Sequence, residues 1–378
     1  AELTALMFFL SSMVVCGMAV SAQQVKIGNY KFPGGGEYQG ELYKGKPSGT
    51  GTTTFPNGDS HTGEYVKGKR QGKGIYQFAD GEKYEGEWFQ DQQHGQGTYY
   101  FANNNRYEGL WFRDFQQGEG TMYYYNGDKY VGNWFEDKRE GHGTYTYANG
   151  AYYKGQWKND EKNGSGIFDW HDGNVYEGNW KNNKRNGHGT YTYASGDSYT
   201  GEWLNDQQHG KGIYKFQDGN RYEGHYVKGE RTGEGIYSFS NGDKYVGHFL
   251  NGEQDGQGTF TWHTGAIYTG GWKNNKQHGQ GKYVWANGDV YEGSWVGGLM
   301  DGTGILRQAD GVKFKGSFKG GLKEGKGVME DAEGIRYEGT FHNDLKDGLF
   351  VETDKSGNVI REVTYVKGIE QTKHTAHN

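Results

Sequence analysis

Rings and charges alternate along this chain. In Tyr84-Glu85-Gly86-Glu87-Trp88, rings and glycine share one parity and the carboxylates take the other. In Gly97-Thr98-Tyr99-Tyr100-Phe101, glycine and rings again occupy alternate places. A period of two with one polar face predicts a half-buried strand. The two stretches therefore read as two strands. The Asn-Gly and Asp-Gly pairs that follow the second stretch predict tight turns, because both residue types accept positive φ.

The pattern then recurs. Tyr-x-Gly-x-aromatic is found at Tyr84, Tyr107, Tyr130, Tyr153, Tyr176, Tyr199, Tyr222, Tyr245, Tyr268 and Tyr291, each a step of 23. Stepping back gives His61 and Tyr38, and stepping forward gives Phe314 and Tyr337. Residues 38–359 thus hold fourteen repeats without insertion or deletion. Residues 23–37 form a preceding half repeat, with Gly28, Tyr30, Phe32 and Gly35 in frame. Residues 360–378 read as a degenerate cap and polar tail.

Every residue type keeps a fixed seat. Eight of the 11 tryptophans close the first motif: Trp88, Trp111, Trp134, Trp157, Trp180, Trp203, Trp272 and Trp295. The other three, Trp170, Trp262 and Trp285, take the seat of Phe101. The glycine between Tyr and Trp leaves a gap on the ring face, which a neighbouring aromatic is expected to cover. The paired glycines, as in Gly95 and Gly97, are expected to let the chain turn sharply ahead of the second strand. A third glycine recurs at the turn, with Asn104 as its exception; asparagine best replaces glycine at positive φ.

These residues resemble the MORN (membrane occupation and recognition nexus) repeat. "YEGEWFQDQQHGQGTYYF", "YEGNWKNNKRNGHGTYTY" and "YTGGWKNNKQHGQGKYVW" are close to its consensus. The resemblance implies an all-β fold: an elongated, single-layer antiparallel array of β-hairpin repeats with an aromatic groove. Contacts in such an array are local, and it needs caps. The C-terminal repeats drift accordingly. The seat of Phe101 becomes Gln308, Asp331 and Asp354, and the seat of Gly97 becomes Phe350. Gln308, Asp331, Phe341, Phe350 and Tyr365 mark this end as a candidate oligomerisation surface, since the resemblance implies association through terminal repeats. Without that implication, the same residues read as a decaying cap.

Composition sharpens the picture. The chain has 69 glycines, 3 prolines and 16% aromatics, against only 32% hydrophobic residues. A disordered chain would be poor in aromatics. A collagen would need a three-residue glycine period rich in proline. The net charge of −6 carries no basic stripe, which excludes nucleic acid and disfavours an anionic membrane surface. The single cysteine, Cys16, lies in an apolar stretch, Leu6 to Val20, followed by Val20-Ser21-Ala22. Residues 1–22 therefore resemble a secretory signal peptide, although no Lys or Arg precedes the apolar stretch. They predict export to the periplasm, cell surface or medium after cleavage near Ala22. A membrane anchor formed by residues 6–20 is the alternative.

No catalytic constellation appears. There is no His-Glu-x-x-His, no Gly-x-Ser-x-Gly and no phosphate-binding glycine loop. Histidines such as His94, His209, His278, His142 and His188 follow the repeat one by one and read as loop filling. Glu85 and Glu87 read as solvated surface. The residues outside the repeats are too few for the lipid kinase or methyltransferase domains fused to some MORN arrays.

The sequence therefore predicts a non-enzymatic scaffold, without metal or cofactor, that binds proteins or assembles with itself. A carbohydrate or cell-wall binder, stacking sugars on the tryptophans, is the alternative, with lipid binding behind it. The eight first-motif tryptophans are the candidate binding stripe, their main role being structural.

Overall fold

The computed structural model describes residues 25–371. The signal-like segment, its cleavage point, Cys16 and the last residues of the tail lie outside the described residues. The described residues divide into two compact bodies, with the boundary between residues 138 and 139. Each is an antiparallel meander; from Glu37–Tyr43 to Arg336–His342 seven-residue strands alternate with nine-residue strands, and the described residues contain no helix.

One repeat shows how the residue types dictate the path. Strand Lys83–Phe89 pairs with strand Gln92–Tyr100, which pairs in turn with Arg106–Phe112. Tyr84 faces Tyr99, and Gly86 faces Gly97. Tyr99 then faces Tyr107, and Gly97 faces Gly109. Rings therefore line up with rings across the ladder, and glycine with glycine.

The glycine rungs exist because the tyrosine lies flat along its own strand. Tyr84 is completely buried, and its hydroxyl donates to the Glu87 carbonyl at 2.9 Å. A Cβ on Gly97 would meet the Tyr84 ring at 2.4–2.6 Å. A Cβ on Gly86 would meet the Gly97 Cα and the Tyr84 hydroxyl at 2.5 Å. The aromatic expected to cover the gap beside Trp88 is thus the tyrosine of the same strand.

Neither paired glycine turns the chain; both sit inside the nine-residue strand. Gly95 lies in a β-bulge with φ of 60°, and Gly97 is the floor under the ring. Bulges raise local twist and re-aim side chains. The tight turns are elsewhere as well. The two-residue hairpin is Gln90-Asp91, with φ of 49° and 73°. Both central residues at positive φ is the geometry that matches strand twist. The connection with Asn103-Asn104 is longer, closed by Phe101 N–H to Asn105 O and Asn104 N–H to Phe101 O, each 3.0 Å. Only Asn104, at φ 65°, is left-handed there.

The core is a line of edge-to-face rings. Tyr84 sits 5.2 Å from Trp88 and 5.3 Å from Trp111, nearly perpendicular to both. Tyr153 repeats this with Trp157 and Trp180, and Tyr268 with Trp272 and Trp295. Edge-to-face pairs contribute about 0.5–1.5 kcal/mol beyond their burial. Indole N–H groups donate across the ladder, for example Trp180 Nε1 to Gly166 O at 3.1 Å. The buried polar ends of both ring types are satisfied.

Candidate functional site

The eight first-motif tryptophans are core, only 4–6% exposed. A ladder that stacks on sugar needs open ring faces, and these rings are buried against perpendicular neighbours, such as Tyr153 and Tyr176 on either side of Trp180. Within the groove, the rings that solvent reaches are those of the next seat. Tyr147, Trp170, Tyr193, Phe216, Phe239, Trp262 and Trp285 are all half-exposed and follow one another at the repeat spacing. Each stacks on the ring two residues earlier, as Trp170 does on Phe168 at 4.5 Å. All but Trp285 also meet a ring of the next repeat, as Trp170 meets Tyr191 at 5.3 Å. Trp170, Trp262 and Trp285 are visible in the sequence at this seat, but the eight better-buried tryptophans outnumber them.

A second row runs along the same groove and is absent from the sequence-based expectations. Its seat alternates among Arg, Lys and Gln, which hides it from a consensus. Arg70 stacks on Trp88 at 4.2 Å, Arg139 on Trp157 at 4.3 Å and Arg185 on Trp203 at 4.4 Å. Each guanidinium also meets an aspartate of its own body: Arg70 with Asp91 at 3.5 Å, Arg139 with Asp160 at 3.0 Å and Arg185 with Asp206 at 3.2 Å. Lys162 occupies the same seat over Trp180 at 4.7 Å and Phe168 at 4.6 Å. Cations over desolvated ring faces gain up to about 2 kcal/mol. Burial pulls the Lys162 ammonium down to about 8, against the attraction of Asp206 and helped by the repulsion of Arg139.

The C-terminal candidates split by burial. Phe341, Phe350 and Tyr365 are core rings, 2%, 0% and 8% exposed, so they offer a partner no surface. Phe350 packs 5.2 Å from Phe341 and 5.4 Å from Tyr365, continuing the ring line into the last strands. It lies where a Cβ on Gly339 would stand, so a ring arriving from the opposite strand replaces the usual tyrosine platform. Tyr365 donates to Glu352, which Arg361 also holds at 2.7 Å. Gln308 and Asp331 are turn residues. Although partly desolvated, the Asp331 carboxyl is held below its usual range by the Ile335 N–H and the Tyr337 hydroxyl.

Among the described residues no three His, Cys, Asp or Glu side chains converge as a metal site. The histidines expected to fill loops, His94, His142, His188, His209 and His278, lie instead inside the nine-residue strands, dispersed one by one. His94 lies between Phe89 and Phe112, with centroids at 5.5 and 5.3 Å. His61 is different. It takes the platform seat of tyrosine, is fully buried, and bonds Tyr65 through Nδ1 at 2.8 Å. Its Nε2 has no partner.

Among solved structures, the chain is similar to the TCP domain of SAS-4 of Drosophila melanogaster, which was solved with a proline-rich motif of Ana2. That likeness has 16% identity, 41% coverage of this chain, 85% coverage of that one and a TM-score of 0.28. A mutant TCP10 domain of Danio rerio CPAP gives 12% identity, 58% and 98% coverage, and a TM-score of 0.29. Virginiamycin B lyase of Staphylococcus aureus gives 8%, 82% and 92%, and 0.13. Likenesses at these scores bear on neither partner nor function. No curated protein matches the sequence. The family model described as the MORN repeat matches fourteen consecutive stretches, from residues 38–60 to 337–359, in the register of the ring and glycine ladder. The chain belongs to the MORN-repeat family.

Proposed function

We propose that this protein is an exported, non-enzymatic scaffold that binds an extended segment of a partner protein along its groove. One observation carries the reading. The groove in residues 139–378 pairs a regular row of half-exposed rings with a row of ring-stacked cations. Such a surface offers apolar platforms and charge at a fixed repeat, which suits an extended chain of matching pitch. Fourteen consecutive copies of a short structural repeat support the non-enzymatic part, and the apolar stretch at residues 6–20 supports export.

The covered tryptophans give the sugar-stacking alternative no support. Crosslinking in the native compartment, with the crosslinks mapped by mass spectrometry, tests the scaffold reading. Crosslinks are expected to cluster on the half-exposed row around Trp170 and Trp262. A protein recovered without partner crosslinks and with a strictly monomeric mass would overturn it. Cell fractionation tests export separately, and retention of the full-length chain in the cytoplasm is the negative result.

A further inference from the structure

At several rungs of the cation row the aspartate is missing, and the Lys162 rung is the one that lies between two intact pairs. Arg139 and Arg185 each face an aspartate 21 residues on, Asp160 and Asp206. At the rung between them the cation is Lys162 and the aspartate is replaced by Asn183. Asn183 Oδ1 still accepts the Lys162 backbone N–H at 2.9 Å, as Asp206 Oδ1 does from Arg185. Its φ of 67° matches the 68° of Asp160. The turn is preserved and only the negative charge is gone.

The ammonium is left in a demanding place. It is half-buried against Phe168 and Trp180, and among the described residues no carboxylate lies within ion-pair distance of it. Asp206 shares the cleft, but its Oδ1 is held by the Arg185 backbone N–H at 2.9 Å and Nε at 3.2 Å. Its carbonyl takes the Arg185 terminal nitrogen at 2.8 Å. The cleft has a volume of about 390 Å³ and is walled by Tyr147, Phe168, Trp170 and Trp180. A partly desolvated cation without an ion-pair partner is costly, and a carboxylate supplied from outside would offset that cost.

We propose that the cleft over Lys162 is a carboxylate pocket that seats one Asp or Glu side chain of an extended partner segment. The aromatic walls take the apolar residues on either side of it. The inference rests on the reading of the groove as a protein-binding face and adds the chemistry of one contact. The pocket favours carboxylate over phosphate because it offers a single free cation. The arginine on each flank is already committed to its own aspartate, and Asp206 in the cleft wall repels a dianion.

The test uses the full chain and a panel of short fluorescein-labelled peptides. Each carries one Glu between apolar residues, and each has a Gln counterpart. Fluorescence anisotropy is expected to show the Glu forms binding about tenfold more tightly than the Gln forms. Asn183→Asp restores the aspartate found at the neighbouring rungs, so it is expected to fold and to abolish the preference. Lys162→Met is expected to abolish it too. Acetate is expected to displace the peptides at lower concentration than inorganic phosphate.

A preference that survives Asn183→Asp overturns the pocket, as does stronger displacement by phosphate. Equal binding of Glu and Gln forms overturns the pocket and leaves the groove as a protein-binding face. Failure of every peptide to bind, together with no crosslinked partner, overturns both.

Discussion

A single residue can carry the cost of a missing hydroxyl. At the platform seats of Tyr84, Tyr153 and Tyr268 the hydroxyl donates to a carbonyl three residues on. His61 cannot, and its Nε2 stays buried and unpartnered between Tyr76, Trp88 and the glycine floor. Burial, with the nearby Arg70 charge, pulls the imidazole down to about 3. The unfolded chain takes up its proton near 6.5, so it binds more protons than the folded state between those values. Stability is therefore full above pH 6.5 and is lost as pH falls toward 3, by about 2 kcal/mol at pH 5. His61→Tyr is expected to remove this acid sensitivity and to raise stability at neutral pH. Denaturant titrations at pH 5 and 7.5 would measure both effects. Tyr222 beside Tyr226 shows that a tyrosine fits next to the smaller ring at the tryptophan seat.

At the scale of the hairpin, glycine and tyrosine form one contact rather than two independent choices. Gly97→Ala pushes a methyl into the Tyr84 ring and is expected to cost about 1–3 kcal/mol. Tyr84→Ala removes a fully buried ring and is expected to cost about 3–5 kcal/mol. The double variant should cost less than the sum, because the cavity of one accepts the methyl of the other. Additive costs in denaturant titrations would show that the ring does not rest on that glycine. This hairpin was largely legible in the sequence: period two gave the strands, and the 23-residue step gave the register. What stayed hidden has physical reasons. Gln90-Asp91 and Arg113-Asp114 adopt the twist-matched turn although neither pair carries the glycine that usually signals it. The bulge at Gly95 depends on a strand pairing that spacing alone does not specify. At the groove, the largest rings drew the eye to Trp88 and its equivalents, whereas accessibility belongs to the Phe101 seat. The Arg139–Lys162–Arg185 row varies too much in residue type to stand out.

Across each compact body, a strand touches chiefly its neighbours in sequence, so damage should stay local. Gly281→Ala, which crowds Tyr268 at 2.3–2.6 Å, is expected to speed amide exchange in the strands around it, Ile267–Lys273 and Val290–Val296. Protection in Val175–Lys181 and Lys184–Thr192 is expected to stay unchanged. Hydrogen exchange read by mass spectrometry distinguishes this from loss of protection throughout residues 139–378. The ring line adds a collective pH effect. Burial pushes Tyr76, Tyr222 and Tyr291 up to about 12, while an unfolded tyrosine ionises near 10. Their stabilisation is complete below pH 10 and is lost as pH rises toward 12. Thermal melts from pH 9 to 11.5 are expected to fall with increasing slope, and phenolate absorbance should appear only as the chain unfolds.

The indole N–H bond to the ladder carbonyl has an optical consequence. At Trp111, Trp272 and Trp295, which lie under none of the groove's cations described above, the same nitrogen meets the same kind of glycine carbonyl at 3.1–3.3 Å, with a tyrosine edge alongside. Chromophores in matched surroundings emit at matched wavelengths. These buried indoles should therefore contribute one narrow, blue-shifted emission component, spread along the array yet spectrally almost a single dye. Replacing any one of them by tyrosine, the residue that stands naturally at Tyr226, should dim that component without moving it.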